Sequence, residues 1–467
     1  MFLQSVLTQR ILFNRSIYSY SLSIDRYSLE KENLGKQHQP LFRLSLKSLK
    51  LDNMNKAKGT FPVLLLTVAS LGYFVDAFDL VVFSVVRKAS IVDLGLATTD
   101  ASIKTIGLGL ENWQALGLLL GGIIWGVFGD KIGRMKVLYG SILCYSIANL
   151  LNGFLTPGDN ALLFYSGLRF LSGLGLAGEL GAAITLVSEA MSASKRGLGT
   201  MIVAGFGLLG CALAAWLGAF SSLRWSTLFL IGGTAGILLF FLRLGVYESK
   251  MFLTQEKTSV QKGAFFSLFT NGSRFKRFLQ CIVVGLPVYF VVGLPVKFAT
   301  NFGTAFNIQG VSVPIAIMMC YIFLSVGDVV CNYTSQVLKS RKKVFYFFNV
   351  LNLIAVLFFT YIPPQNAWQY HFIYCPLLGF SVGYWALIVT NAAEQFGTNL
   401  RATVATSVPN FIRSSFIPIA ICFTFLERLV GTIHSAGIIG ITCSILALIA
   451  TYTMKETFGT DLNYEEK

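Results

Sequence analysis

The stretch Gly126-Val127-Phe128-Gly129-Asp130-Lys131-Ile132-Gly133-Arg134-Met135-Lys136 decides the fold. It crowds Asp130, Lys131, Arg134 and Lys136 between two long apolar runs, about 106–128 and 136–155. A helix rises 1.5 Å per residue and bilayer hydrocarbon is about 30 Å thick, so roughly 20 apolar residues reach across. The quoted stretch reads as a polar, basic turn between two membrane spans. Working outward from it, ten more runs of that length appear, near 61–86, 161–190, 198–220, 225–245, 279–298, 312–337, 344–362, 370–393, 404–426 and 434–454. The expectation is an all-α polytopic membrane protein of twelve transmembrane helices.

Composition agrees. Hydrophobic residues make up 54% of the 467 and charged residues 13%, about half the share of a soluble domain. That excludes a disordered chain and a secreted disulfide scaffold, and it argues against an ordinary soluble enzyme. Runs this long, without alternation, are not barrel strands. The eight cysteines are scattered through apolar segments without a CxxC or Cys/His cluster, so neither a metal site nor a cofactor is expected.

The net charge of +15 suggests nucleic acid only until the cations are placed. With the N-terminus inside, the N-terminal region, the even-numbered loops and the C-terminal tail hold 29 of the 37 Lys and Arg, and the odd-numbered loops hold 6. Lys297 is counted among those 6 as a span-edge cation. Loop cations set orientation, so both termini are expected in the cytoplasm of a plasma membrane, the inner membrane of a bacterium. Nucleic acid is left with no support. The lipid bilayer, protons and a small-molecule substrate are the expected partners of what reads as a monomer.

The polar connection 246–278 divides the chain into six-helix bundles, 59–245 and 279–455, followed by a cytoplasmic tail, 456–467. The halves repeat weakly. Glu189 and Arg196 follow the fourth span as Glu394 and Arg401 follow the tenth, and Glu248-Ser249 answers Glu456-Thr457. Internal duplication about a linker is a recurrent plan in secondary transporters. Residues 1–58 are polar and basic, and three readings stay open for them: translation starting at Met54, a disordered cytoplasmic extension, or a transit peptide.

The quoted turn resembles the signature loop of the major facilitator superfamily, small-x-x-small-Asp-Arg/Lys-x-Gly-Arg-Arg/Lys. Arg169, Gly173, Gly175, Gly178, Glu189, Arg196 and Gly197 follow in an order similar to its sugar-porter and metabolite–proton symporter branches. Arg243 with Glu248-Ser249, and the tail Lys455-Glu456-Thr457 with Gly459, Asp461 and Leu462, resemble the same branch. The resemblance covers about 60–467 and implies two pseudo-symmetric six-helix bundles, transport without covalent chemistry, and alternating access. There are departures. The second signature loop is degraded at Ser335-Gln336 and Lys339-Ser340-Arg341, Lys250 replaces a proline, and span seven lacks the Gln-rich sugar motif, so the cargo is expected to differ from a hexose. Proton-coupled symport of a small polar or anionic metabolite is the first expectation. An antiporter or exporter, or a transporter-like ligand sensor, is the alternative.

Charges within spans carry the site argument, because each costs about 2.5–3.5 kcal/mol at the bilayer centre unless it pairs or faces a wet cavity. Asp79 lies about 10 Å below the outer end of span one and Arg169 about 12 Å into span four, so the two are level. Poor hydration and a nearby cation act on such an acid in opposite directions. The resemblance implies that a span-one acid near the span-four arginine takes the coupling proton: Asp79, with Asp76 as alternate and Arg169 as modulator. Glu179, about 15 Å further in, is either a second proton or substrate group or a structural partner. Asp328 and Arg413 are expected to pair in the second half, unless Arg413 holds an anionic substrate. Tyr73, Gln114, Tyr289, Asn391 and Asn410 are cavity candidates together with Arg169 and Arg413. The resemblance also implies a cytoplasmic gate network of Asp130, Arg134, Glu189, Arg196, Glu394 and Arg401. Gly173-x-Gly175-x-x-Gly178 mimics a dinucleotide motif but has no strand before it, so it reads as a small packing face, as does Gly117-x-x-x-Gly121. Pro287, Pro295, Pro409 and Pro418 permit kinks.

Overall fold

The computed structural model describes the backbone of residues 39–191, 196–244, 263–460, 464 and 466, and the side chains of these from 65 onward except Arg196. Glu248, Ser249, Lys250, Asp461 and Leu462, singled out above, lie outside the described residues. Helices joined by short turns account for the described chain, and no strand occurs among them.

Ten helical stretches are long and apolar enough to cross a membrane: Leu65–Asp93, Asp100–Ile132, Ala161–Ala190, Gly197–Phe220, Trp225–Arg243, Gly272–Val296, Val313–Val337, Arg341–Tyr361, Ala367–Gln395 and Arg401–Thr453. The last holds two spans. Gly431, at φ 79° and ψ 168°, turns the chain back within it, a conformation open to glycine and strained for other residues. The less apolar helix Arg134–Gly153 is span three, so the described residues make twelve spans in chain order. Several begin before their apolar run because polar side chains cap them. Asn271 accepts from the backbone of Ser273 at 2.9 Å, and Ser340 from that of Lys343 at 3.2 Å.

The packing is inverted relative to a soluble protein. Phe154 and Leu163 are each 70% exposed, whereas Asp76, Asp79, Arg169, Glu179, Arg243 and Asp328 are fully buried. Lipid covers apolar faces, while ionisable groups gather where helices meet.

Span two is held between spans four and eleven by glycines. Gly117 and Gly121 lie against the backbone of Phe170 and Leu174, and Gly122 and Gly126 face Asn410 and Thr403. Small residues let helix backbones approach this closely. Spans four, seven and ten are broken. Span four pauses at Ala177–Gly178, span seven at Gly285 and through the π-turn Val292–Val296 that contains Pro295, and span ten at Val382–Tyr384. Pro409 sits inside the first helix of span eleven.

Candidate functional site

The breaks frame a buried polar layer. Glu179, the first residue after the pause in span four, forms a two-pronged ion pair with Arg243 of span six, one arm at 2.8 Å from Nη1 to Oε2. Both groups press on Gly72 of span one, where a Cβ would collide with them. Asp76, one turn further along, has no hydrogen-bond partner on either carboxylate oxygen among the described residues. Its charged neighbours are Arg413, Glu179, Asp79 and Arg243.

Arg413 answers Asp76 from the last six spans. It is 2% exposed, has no acid within 4 Å among the described residues, and donates to Asn410 Oδ1 at 3.4 Å. Its guanidinium lies 5.5 Å from the ring centre of Trp385, and its Nε finds no partner. Tyr289 stands with its ring 6.0 Å from that of Trp385. Trp385 Nε1 donates to Tyr73 Oη at 3.0 Å, joining span ten to span one. Asn410 donates to the Ala177 carbonyl at 2.7 Å, at the span-four break. Gln114 is buried in span two with its Nε2 unbonded.

Asp79 and Arg169 are neighbours without being an ion pair. The Arg169 guanidinium lies over the rings of Phe83 at 4.8 Å and Phe229 at 5.8 Å, and none of its nitrogens has a hydrogen-bond partner among the described residues. Phe83 follows Asp79 by one helical turn, so span one offers Arg169 a ring on the side that also carries the acid. The Asp79 carboxylate is pressed on Gly232 of span six instead. Asp328 and Arg413 are not paired either. Asp328 accepts from the Ala386 backbone at 2.9 Å, at the span-ten break, and from Asn332 at 3.4 Å. The backbone N–H freed by the break thus engages Oδ1 of the acid, Oδ2 has no partner among the described residues, and Arg413 is left to the aromatic layer.

At the signature-loop end the two sets of six spans are tied by charge. Arg134 binds Glu189 at 2.9 Å and Asp130 at 3.5 Å, and Arg401 reaches Glu189 at 3.6 Å. Asp130 also accepts from the backbone of Ala402 at 3.1 Å and Thr403 at 2.8 Å, and from the Thr403 hydroxyl at 2.7 Å. These are first-turn donors of the helix Arg401–Ser414, so an acid from span two caps a helix of span eleven. Glu394 pairs with Arg341 at 3.1 Å and accepts from Thr457 of the tail at 3.0 Å. Asn391 accepts from the same hydroxyl at 3.0 Å, which places it with this network and away from the Arg413 layer. The Arg196 side chain lies outside the described ones.

The opposite end, where the odd-numbered loops lie, carries a second cross-connection that the sequence reading missed. Glu111 of span two holds Lys297 of span seven at 2.8 Å and accepts from Ser84 of span one at 2.5 Å. Arg87 donates to the Lys297 carbonyl at 2.9 Å and stacks over Phe298 at 4.1 Å. Lys104 pairs with Glu427 at 2.8 Å. One signal was available: Glu111 is an acid inside an apolar run, as informative in principle as Asp79.

Twelve spans around a buried charged layer, with ion pairs at both ends, define a polytopic helical membrane protein. The chain belongs to the Major Facilitator Superfamily, whose model matches residues 69–421; this is a family of transporters. It is similar to the niacin transporter NiaP of Acinetobacter baylyi (strain ATCC 33305 / BD413 / ADP1), 33% identical over 42% of this chain and 43% of that one. It is also similar to the 3-(3-hydroxy-phenyl)propionate transporter of Escherichia coli (strain K12), 30% identical over 38% and 43% of the two chains. The chain spans about half the length of the curated relatives it matches. Among solved structures, the proton:xylose symporter XylE shares the fold, with a TM-score of 0.65 and 15% identity over 87% of this chain and 98% of that one.

Proposed function

We propose that this chain is a proton-coupled symporter of small aromatic carboxylates, working as a monomer by alternating access in a plasma membrane with both termini in the cytoplasm. One observation carries the reading: Arg413 is a buried cation with no acid within 4 Å among the described residues, set among the rings of Trp385, Tyr289 and Tyr73. Arginine presents a planar pair of donors that matches a carboxylate, and flanking aromatic rings suit an aryl group. The names of the relatives lean the same way, since niacin and 3-(3-hydroxyphenyl)propionate are aromatic acids. In this reading Asp79 carries the proton beside Arg169, and Asp76 faces Arg413 so that carboxylate and acid compete for one cation. The Glu179–Arg243 pair supports Asp76 from below. The network of Asp130, Arg134, Glu189, Arg196, Arg401 and Glu394 is the cytoplasmic latch.

The test is uptake of labelled nicotinate and benzoate into proteoliposomes with an imposed pH gradient. Arg413→Gln is expected to lower uptake about a hundredfold, because a buried charge-assisted contact is worth roughly 2–5 kcal/mol. Asp79→Asn is expected to abolish proton-driven accumulation while sparing counterflow. Binding without accumulation in the unaltered protein would make it a sensor and overturn the symporter reading. Intact accumulation in Asp79→Asn would remove the coupling assignment alone.

A further inference from the structure

The buried cluster at the odd-loop end has more cation than it uses. Two cations, Arg87 and Lys297, share one acid, Glu111, and all three are more than nine-tenths buried. Glu111 spends Oε2 on Lys297 at 2.8 Å and Oε1 on the Ser84 hydroxyl at 2.5 Å. Arg87 forms no ion pair within 4 Å among the described residues; its Nη2 goes to the Lys297 carbonyl and its Nη1 has no partner. A cation buried among apolar neighbours with a donor unmet is costly, and an added anion relieves that cost.

The cluster also stands in the right place. Arg87 and Ser84 come from span one and Glu111 from span two, whereas Lys297 and Phe298 come from span seven, so these contacts must part before this end can open. Arg87 follows Asp76 by eleven residues. At 1.5 Å and 100° per residue, that puts it about 16 Å outward on nearly the same helix face. The face that presents Asp76 to Arg413 therefore leads from the clasp to the aromatic layer. Gly107 makes room for the Arg87 stem, where a Cβ would press on its methylenes.

We propose that Arg87 and Lys297 form a vestibule site for a carboxylate, with Glu111 as the built-in anion that an incoming carboxylate displaces. Exchange of one carboxylate for another leaves the charge balance at the two cations no worse while the span-two to span-seven link is released. A neutral molecule of the same shape cannot make the exchange. Anionic ligands thus open the odd-loop end and neutral ones leave it shut. The identity of the natural ligand rests on the carboxylate reading above; the clasp itself does not.

The experiment follows spin-label distances across the odd-loop end in the full chain in lipid nanodiscs. Labels go at the exposed Thr98 and Gln309, with Cys144 and Cys422 replaced by serine. Benzoate is compared with benzamide, in the unaltered protein and in Arg413→Gln. Benzoate is expected to lengthen the distance in both and benzamide in neither. Arg87→Gln is expected to raise the benzoate concentration for half-opening at least tenfold, and Glu111→Gln, which removes the anion that Lys297 holds, to open the end without any anion. Opening by benzoate in the unaltered protein but not in Arg413→Gln would assign the effect to the central site and overturn the vestibule site while the carboxylate reading stands. No opening in either background, or equal opening by benzamide, would also overturn it. Opening in both backgrounds without benzoate uptake would leave the vestibule site standing and remove the proposed substrate class.

Discussion

At the scale of single residues, the pair Glu179–Arg243 shows what a charge in a membrane interior requires. Each group is fully buried, and two hydrogen bonds from the Arg243 Nη atoms occupy both carboxylate oxygens of Glu179. Glu179→Gln would leave Arg243 buried with its charge uncompensated, a change that costs about 3–5 kcal/mol. Thermal unfolding in detergent should show a large fall in midpoint for Glu179→Gln. An apolar replacement of both partners should recover much of the loss, because no lone charge remains. Depth along a helix was legible in the sequence and rotation about it was not. Counting residues put Asp79 and Arg169 level, but whether they touch depends on the side chains around each, and the Arg169 guanidinium lies against the rings of Phe83 and Phe229. The partner of Glu179 was hidden for two reasons. Arg243 closes an apolar run and so counts as a loop cation, and the pause at Ala177–Gly178 resets the helical phase on which angular arithmetic relies. Glu111 was equally visible as a buried acid, but its meaning lies in Lys297, 186 residues away.

At the scale of elements, helix ends at the signature-loop side are finished by acids from other segments. Asp130 caps span eleven, and Glu456 of the tail caps span nine, accepting from the backbone of Arg341 at 2.8 Å and from Ser340 at 2.5 Å. Span edges were readable because apolar runs are; these caps were not, because the accepting carboxylates come from distant parts of the chain. A cap of this kind is worth about 0.5–2 kcal/mol, so Asp130→Asn should shift the closed–open balance at this end about tenfold. The readout is the labelling rate of a cysteine placed at the buried Thr406, one turn beneath the cap. Glu456 makes a second, pH-dependent case. Burial pushes its carboxyl up, but hydrogen bonds from Ser340 and from the backbone of Arg341, Phe458 and Lys342 outweigh that and hold it below the usual range. A carboxyl lowered in the folded state stabilises the docked tail above its unfolded value, about 4.3, and that contribution is lost as the pH falls further. Protection of the Arg341 and Lys342 amides against hydrogen exchange, relative to the unstructured chain at the same pH, should therefore fall below about pH 4, and Glu456→Gln should remove the dependence.

At the scale of the whole molecule, both ends are crossed by ion pairs at once: Arg401 to Glu189 at one, Lys297 to Glu111 at the other. Two rigid sets of spans that rock about a shared middle can separate at one end only by closing at the other, so these closures should act as opposing weights on one equilibrium. Breaking either one tilts the balance by the free energy of that contact, and every 1.4 kcal/mol moves the population tenfold. Arg401→Gln, which removes the pair with Glu189, should open the signature-loop end while the Thr98–Gln309 distance stays short. Glu111→Gln should lengthen that distance while Thr406 stays protected. In the double variant the two losses offset, and the label distances should return toward those of the unaltered protein. Both ends reading open together, on the same molecules, would mean that the closures are independent, and a pore would then describe this chain better than a rocking carrier.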